Sequence, residues 1–295
     1  MKLSIVIPTR NRVDVLSANL SHLLPQLSAS DEVIIVDNGT DDTASMVNAR
    51  EDSRIRYLYA QIPANASRAR NEGFRSARNT IVCFLDDDSF VGPGWAAAVR
   101  EISSDTSKKG IIFQGMVIQK YTTVGPIERQ KYINFSRDTA LLGMGLYTPR
   151  LTRVKMILAG NLFGSRSLFQ KLNGPFDENG FPFIGEQADL TYRCFQHGID
   201  IVYAPKAKVF HTKSRVLLTD EVRNAFGYGR AMKRLEELYL SDPRVLLAIG
   251  SVKPASKSIP IPAMMPETFA DRIIRLWYRI LINGSFRIGY ISARV

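Results

Sequence analysis

The most constraining feature of the sequence is an apolar run from Ile81 to Leu85 that ends in three consecutive aspartates, Asp86, Asp87 and Asp88. A strand interior cannot hold this cluster, because buried charges without partners are costly. The carboxylates must therefore lie at the carboxyl end of the strand, where ligands bind in open α/β sheets. Three carboxylates there suit a hard divalent cation, and an acidic turn after a strand is the simpler alternative.

Composition narrows the class of protein further. The 295 residues are 45% hydrophobic and 23% charged, which is typical of a globular protein with a large core. The two cysteines, Cys83 and Cys194, form no disulfide framework, which suits a reducing compartment. We expect no signal peptide, because the N-terminus lacks a long apolar core, and no transmembrane helix, because no stretch of about 18 uninterrupted apolar residues occurs. The net charge of +11 indicates an anionic partner, whether nucleic acid, an acidic lipid surface or a phosphorylated substrate.

Strand and helix patterns alternate along residues 2–88. The predicted strands cover residues 2–7, 32–36, 54–59 and 81–85, and the predicted helices cover 13–27, 40–49 and 66–77. This alternation predicts βαβ units in a doubly wound, parallel sheet. The carboxyl ends of parallel strands meet at one edge of a sheet. We therefore expect the polar residues after three strands to converge on one crevice, namely Thr9–Arg12, Asp37–Asn38 and Asp86–Asp88.

The pattern is looser in the rest of the chain. Strands are predicted for residues 110–119, 199–203 and 209–211, and helices for 167–172, 186–197 and 219–240, whereas 120–158 carry few clear signals. Prolines make residues 253–266 a predicted stiff linker, and one more helix is predicted from about residue 267. Apolar side chains project to one side of that helix and arginines to another: Phe269, Ile273, Leu276, Ile280 and Leu281 against Arg272, Arg275 and Arg279.

Seven motifs, taken in chain order, resemble those of the family 2 glycosyltransferases, which are inverting, nucleotide-sugar-dependent enzymes with the GT-A fold. They are Ser4–Arg12, Val36–Thr40, Ala69–Gly73, Phe84–Asp88, Gly174–Glu178, Gly185–Leu190 and the strand that ends in His211. Each motif alone is weak, and the specific signal is their order across residues 2–212. The resemblance implies an α/β, Rossmann-like and mostly parallel central sheet flanked by helices, with a C-terminal helical extension.

The resemblance also implies a division of the chain. A GT-A catalytic domain would span residues 1–218, and a helical extension would span 219–252. The proline-rich linker at 253–266 and a basic amphipathic helix or tail at 267–295 would follow.

A metal-dependent donor site is implied at the aspartate cluster. Asp86 and Asp88 would flank the nucleotide ribose and the metal, with Asp88 the direct ligand, and His211 would complete the metal sphere. Mn²⁺ and Mg²⁺ both fit, because both accept carboxylate and phosphate oxygens. A half-buried histidine at a strand end, without a metal, is the alternative for His211.

The other nucleotide contacts are implied in the same way. Pro8, Thr9, Arg12, Asp37, Asn38, Arg70 and Asp87 would bind the donor nucleotide. Asp37 would hydrogen-bond the base, and a role as a turn residue before Gly39 is compatible with that. Arg70 would pair with phosphate, with a solvated helix arginine as the alternative.

The catalytic base is where this sequence departs from the family. The usual pattern is Glu-Asp-x-Asp-Leu, in which the first Asp commonly serves as base, and here Gln187 stands at that position. An amide cannot be a general base. Glu186 and Asp189 remain, and they can share one helix face because they are three residues apart. We expect Glu186 to be the base, with Asp189 as a fallback or as a structural partner of Arg193. Both acids can also simply favour a helix N-terminus.

The function expected from these motifs is sugar transfer from a nucleotide-diphosphate sugar to a hydroxyl of a glycan or lipid-linked acceptor, in exopolysaccharide or cell-envelope glycan synthesis. A catalytically inactive nucleotide-sugar-binding protein is the alternative that Gln187 raises. A nucleic-acid binder fits the charge but lacks zinc spacing and an RNA-binding signature. A sugar-nucleotide pyrophosphorylase is disfavoured, because its glycine-rich N-terminal loop is missing.

Location follows from the same features. We expect a cytoplasmic protein, and the basic tail raises peripheral attachment to the inner face of the cytoplasmic membrane. A tail packed on the rest of the chain, with its basic face in water, is the alternative. The donor base and sugar cannot be read from these residues.

Overall fold

A computed structural model describes residues 1–61, 65–105, 108, 110–121, 125–141, 151–213, 217–252 and 269–293. The chain divides into two units. Unit 1 comprises Met1–Ile118 and Pro149–His211, and unit 2 comprises Gln119–Thr148 and Thr212–Val295. The expected domain boundary at residue 218 stays a prediction, and the predicted linker at 253–266 lies outside the described residues.

Four parallel strands form the first half of the sheet in unit 1. In spatial order they are β3 (Ile55–Tyr59), β2 (Glu32–Asp37), β1 (Leu3–Thr9) and β4 (Ile81–Leu85). The connecting helices are α1 (Val13–Leu23), α2 (Thr43–Asn48) and α3 (Ala66–Ser76). Strands β1, β2 and β4 are buried almost throughout, because apolar side chains project from both of their faces. The predicted βαβ alternation is confirmed.

The second half of the sheet is antiparallel. Strand β4 pairs with β8 (Asn161–Ser165), β8 pairs with β6 (Ile111–Tyr121), and β9 (Asp200–Lys213) pairs with β5 (Ser89–Val91) and β7 (Thr152–Arg153). Helices α4 (Trp95–Ser104), α6 (Arg166–Lys171) and α7 (Glu186–Gln196) complete the unit. The α/β class is confirmed. The separate strands predicted at 199–203 and 209–211 are wrong, because β9 runs on through Pro205.

Helix α3 packs very closely on the parallel strands. A Cβ atom added to Gly73 would lie 2.3 Å from Val6 Cγ1 and 3.1 Å from Val36 Cγ2, so only glycine fits there. Arg70 lies one helical turn earlier and shares that face. The close approach at Gly73 therefore fixes how far Arg70 stands from the strand ends.

Unit 2 consists of helices α5 (Pro126–Leu141), α8 (Leu218–Tyr239), α9 (Pro243–Ser251) and α10 (Phe269–Ser292). Helices α8 and α10 pack through backbone contact, since a Cβ atom on Gly229 would lie 2.0 Å from the Phe286 carbonyl oxygen. A Cβ atom on Gly289 would lie 2.0 Å from the Phe226 carbonyl oxygen. The sequence pattern misses α5, because its apolar residues do not follow one helical stripe.

The predicted C-terminal helix is confirmed as α10, but a different face packs. Tyr278 is 3% exposed, whereas Ile273, Leu276 and Ile280 on the predicted apolar side are 43–58% exposed. The helix thus carries apolar residues on two faces. Within the described ranges, no helix is both long and apolar enough to cross a bilayer.

Candidate active site

The three aspartates lie in the turn between β4 and β5, at the carboxyl edge of the parallel strands. The Ser89 amide donates to the Asp86 carbonyl at 3.0 Å and closes the turn. The buried Asn19 amide of α1 donates to the backbone carbonyls of Asp86 and Asp87, at 3.2 and 3.0 Å. The turn is therefore held through hydrogen bonds to its backbone carbonyls, and its carboxylates remain available to other partners.

Asp87 is bound by the end of β1. Thr9 Oγ1 donates to Asp87 Oδ2 at 2.9 Å, and an Arg12 guanidinium nitrogen donates to Oδ1 at 2.7 Å. Burial raises the pKa of Asp87 to about 6, with Arg12 opposing the rise and Asp88 adding to it. Two of the residues predicted to contact nucleotide thus lie beside the aspartates, and Pro8 precedes them, half-buried, in β1.

Asp88 bridges two basic side chains. The second guanidinium nitrogen of Arg12 donates to Asp88 Oδ2 at 2.8 Å, and His211 Nε2 lies 2.7 Å from Oδ1. The register between β5 and β9 causes the second contact, because Ser89 pairs directly with His211. Burial alone would raise the pKa of Asp88, but His211 and Arg12 hold it well below its ordinary value.

The predicted metal ligands come together in space. One ligand atom from each of Asp86, Asp88 and His211 lies within 4.8 Å of the others. Two carboxylate oxygens and one imidazole nitrogen are a donor set that Mn²⁺ and Mg²⁺ accept. Gly160 leaves room for Asp86, since a Cβ atom there would lie 2.7 Å from Asp86 Oδ2. The side chains present therefore fit a divalent cation.

Asp37 ends β2 and is held in a fixed orientation. The Gly39 amide donates to its Oδ1 at 2.7 Å, and the Tyr57 hydroxyl donates to its Oδ2 at 2.8 Å. The Asn38 amide donates to the Thr9 carbonyl, so the ends of β1 and β2 are tied together. Sequence reasoning finds Asp37 but misses Tyr57, whose position in β3 depends on the pairing of that strand with β2.

Arg70 is a buried cation between two acids. One of its guanidinium nitrogens donates to Asp86 Oδ1 at 2.7 Å, and the other lies 3.6 Å from Glu186 Oε1. Its guanidinium also stands over the Phe176 ring, 5.4 Å from the centroid. Arg70 is only 6% exposed, so the solvated alternative for this residue is wrong.

The two acids of α7 have different surroundings. Glu186 is buried and faces Arg70. Asp189 instead forms an ion pair with Arg193 at 2.8 Å, and Arg193 also donates to the carbonyls of Leu172, Gly174 and Pro175. Asp189 therefore positions an arginine that fixes the loop before α7, which matches the structural role named as its alternative.

Glu186 is a buried carboxylate with a perturbed pKa. Burial raises its pKa, and the positive charge of Arg70 opposes that rise. The Gln187 amide nitrogen lies 3.4 Å from Glu186 Oε1, so the residue that replaces the usual acid contacts the remaining one. The sequence favours Glu186 as the base and names Arg193 as a partner of Asp189, and the structure adds Arg70 as the neighbour of Glu186.

Two asparagines hold the framework of the site. Asn71, in α3, donates to the Phe176 carbonyl at 2.8 Å and to Glu178 Oε1 at 2.9 Å, so it fixes the Gly174–Glu178 motif. Asn161 is fully buried, and its amide group bonds Trp95 Nε1 and the carbonyls of Met116 and Ala207. All of these contacts lie within the sheet and α4, which makes Asn161 a structural residue.

Comparison with known proteins agrees with this geometry. Residues 4–171, more than half of the chain, match the profile of "Glycosyl transferase family 2". The chain is 27% identical over 220 residues to a validoxylamine A glucosyltransferase of Streptomyces hygroscopicus subsp. jinggangensis (strain 5008), covering 67% of this chain and 52% of the relative. It is 29% identical over 155 residues to the UDP-Glc:alpha-D-GlcNAc-diphosphoundecaprenol beta-1,3-glucosyltransferase WfgD of Escherichia coli, covering 51% of this chain and 60% of that one.

The chain spans about half the length of the first curated relatives that it matches. Among solved structures, it resembles the mannosyltransferase PcManGT from Pyrobaculum calidifontis in complex with GDP-Man and Mn2+. The TM-score is 0.65 at 14% identity, over 99% of this chain and 88% of that one, which is a likeness of fold. The chain has the GT-A fold and belongs to glycosyl transferase family 2.

Proposed function

We propose that this protein is a metal-dependent, inverting glycosyltransferase that moves a sugar from a nucleotide-diphosphate sugar to a hydroxyl group. The observation that carries the proposal is the convergence of Asp86 and Asp88, from the turn after β4, with His211 of β9. Arg70 links this cluster to Glu186, which supplies a carboxylate across the same crevice. A donor site and a base are thus adjacent.

The donor half of the site would bind and orient the nucleotide. The carboxylate oxygens of Asp37, which Gly39 and Tyr57 hold in place, would accept a hydrogen bond from the nucleobase of the donor. Asp86, Asp88 and His211 would hold the divalent cation. When bound, a cation there supplies Lewis-acid stabilisation of the leaving diphosphate. Arg12 and Arg70 add positive charge around the same group.

Glu186 would accept the proton of the attacking acceptor hydroxyl. The hydroxyl oxygen forms a bond to the anomeric carbon while the bond from that carbon to the diphosphate oxygen breaks. The electron pair leaves with the diphosphate, and the proton moves to a Glu186 carboxylate oxygen. A buried carboxylate with a raised pKa is a stronger base than an exposed one, which suits this role.

Relatives support the substrate class. The Escherichia coli relative is named for a UDP-Glc donor and a diphosphoundecaprenol-linked acceptor, and the structural neighbour was solved with GDP-Man and Mn2+. We infer a glycan or lipid-linked acceptor, in exopolysaccharide or cell-envelope glycan synthesis, with no role for nucleic acid. A location in the cytoplasm, peripheral on the inner face of the membrane, is part of the same proposal.

A thermal-shift screen of UDP, GDP and dTDP with Mn²⁺ or Mg²⁺ tests the donor site. One nucleotide should raise the melting temperature only with metal, because a ligand that binds the native state stabilises it by mass action. Asp88→Ala should remove the metal-dependent part of the shift. A shift that is equal without metal, or unchanged in Asp88→Ala, contradicts the metal site.

The second candidate function is a nucleotide-sugar-binding protein without turnover, which Gln187 favours. The same screen followed by a donor-hydrolysis assay separates the two. Metal-dependent release of nucleoside diphosphate from the matching sugar nucleotide, lost in Asp88→Ala, supports the enzyme. Binding with no release above background, with any acceptor hydroxyl tried, supports the inactive binder.

A further inference from the structure

The outward face of α10 is mostly apolar. Eight large apolar side chains on this helix are 41–81% exposed, among them Ile273, Leu276, Trp277, Ile280, Ile288 and Ile291. With successive residues turned by 100°, the eight fall within an arc of about 160°. Tyr278 and Gly289 lie on the opposite side, where α10 packs on α8. An exposed apolar patch of this kind marks an interaction surface.

Charge around this face has one sign. Residues 272–295 contain five arginines and no Asp or Glu. Arg272 and Arg279 are exposed and lie along one border of the apolar arc, and the exposed Arg287 lies within it. An apolar stripe with basic residues beside it is the pattern of a helix that lies in the interface of an anionic membrane.

We propose that α10 docks this chain on an anionic lipid surface through its outward face. Trp277, Ile280 and their neighbours enter the boundary between headgroups and acyl chains, and the arginines meet lipid phosphates. Because the contacts at Gly229 and Gly289 hold the other face against α8, α10 can offer only one face to the lipid. Helix α9 of the same unit exposes Leu246 and Leu247 as well, at 51% and 76%.

A lipid surface fits better than a second copy of the chain. An isologous pairing brings the same patch of two copies together, so the two sets of arginines would face each other. Each copy also carries a net charge of +11, which opposes self-association and favours an anionic partner. The inference rests on the proposed membrane location and does not depend on the transfer chemistry.

Flotation of the full-length protein with vesicles tests this surface. Vesicles that contain phosphatidylglycerol should carry the protein, and pure phosphatidylcholine vesicles should carry much less. Trp277→Ser with Ile280→Ser should weaken the binding at least about tenfold. Arg279→Gln with Arg287→Gln should weaken it by a similar factor in low salt and make little difference in high salt. The matched control is Arg78→Gln with Lys171→Gln, which removes two exposed charges from unit 1 and should bind like the wild type.

Three outcomes overturn the proposal. The first is that the wild type binds neither kind of vesicle. The second is that the control variant loses vesicle binding as much as the α10 variants do. The third is a dimer in solution that Trp277→Ser with Ile280→Ser dissociates. The last outcome assigns the face to a second copy. The nucleotide-dependent thermal shift, measured on the same proteins, keeps the two proposals apart. A wild type that shifts with nucleotide but does not float contradicts the docking surface alone, and the reverse contradicts the donor site alone.

Discussion

The crevice of unit 1 and the α8–α10 pair of unit 2 depend on different interactions. In the crevice, Arg12 pairs with Asp87 and Asp88, and Arg70 stands between Asp86 and Glu186, so each carboxylate owes its properties to a charge on another element. In the helix pair, Gly229 and Gly289 allow backbone contact, and the fit is one of shape. A change of charge should therefore have its main effect in the first region, and a change of volume in the second.

The largest expected effect is a loss of turnover when the proposed catalytic base is replaced. Glu186→Gln should lower kcat about 10³-fold, because the amide keeps the shape but cannot take a proton. The metal-dependent thermal shift with nucleotide should persist. Initial rates of sugar transfer at saturating donor measure the loss, and Gln187→Ala is the matched control from the adjacent position. If Glu186→Gln retains turnover, or Gln187→Ala loses it to the same extent, Glu186 is not the base.

A substitution of Asp189 tests whether this acid stabilises the fold. Asp189→Ala should lower the free energy of unfolding by about 3 kcal/mol, because it leaves Arg193 without its buried partner. Urea titration followed by circular dichroism measures this change. The control Asp220→Ala breaks an exposed pair with Arg223 and should cost less than about 1 kcal/mol. Equal costs for the two variants contradict the structural role of Asp189.

Two glycines of α10 test whether α8 and α10 pack through close backbone contact. Gly289→Ala should destabilise the protein by about 1–3 kcal/mol, since the new methyl group meets the Phe226 carbonyl oxygen. Gly284→Ala is the control on the same helix, and it should stabilise by about 0.5–1 kcal/mol, because nothing lies within 4 Å of its added Cβ. Thermal unfolding of the three proteins gives both values. Changes of the same sign would mean that α8 and α10 do not meet at Gly289.

The smallest expected effect is a shift of a pH profile. Glu186 must be ionised to act as a base, so kcat/KM should fall as the pH drops below its pKa, which burial raises. Arg70 opposes that rise. Arg70→Gln should therefore raise the pKa further and move the acid limb of the profile to higher pH, whereas Arg70→Lys, which keeps a positive charge, should move it less. An acid limb that does not move in Arg70→Gln would show that another group titrates there.

Sequence patterns predict most of the parallel half of unit 1. Buried parallel strands are continuous apolar runs, and polar residues such as Asp37 and Asp86 mark their carboxyl ends. The candidate metal ligands come from the resemblance to the family, because His211 is identified only as part of an ordered set of motifs. The roles assigned to these residues stay predictions.

The remaining features depend on pairing that local patterns do not encode. Tyr57 reaches Asp37 only through the register of β3 with β2, and β5 is too short to give a periodic signal. Arg193 is a local partner of Asp189, four residues away on the same helix, whereas Arg70 reaches Glu186 from α3 through a contact that sequence spacing does not encode. In α10 the apolar stripe visible in the sequence is the exposed one, and the packed face depends on a small residue, Gly289.

Asn161 has a consequence for how mutational screens of this chain are read. Its amide group ties Trp95 of α4 and the carbonyls of Met116 in β6 and Ala207 in β9, and β9 also carries His211. A substitution at this asparagine would disturb the strand that presents the histidine without touching any reacting atom. In a screen scored by product alone, such a variant is indistinguishable from loss of a metal ligand. Only a parallel measure of folded protein assigns the defect to the scaffold.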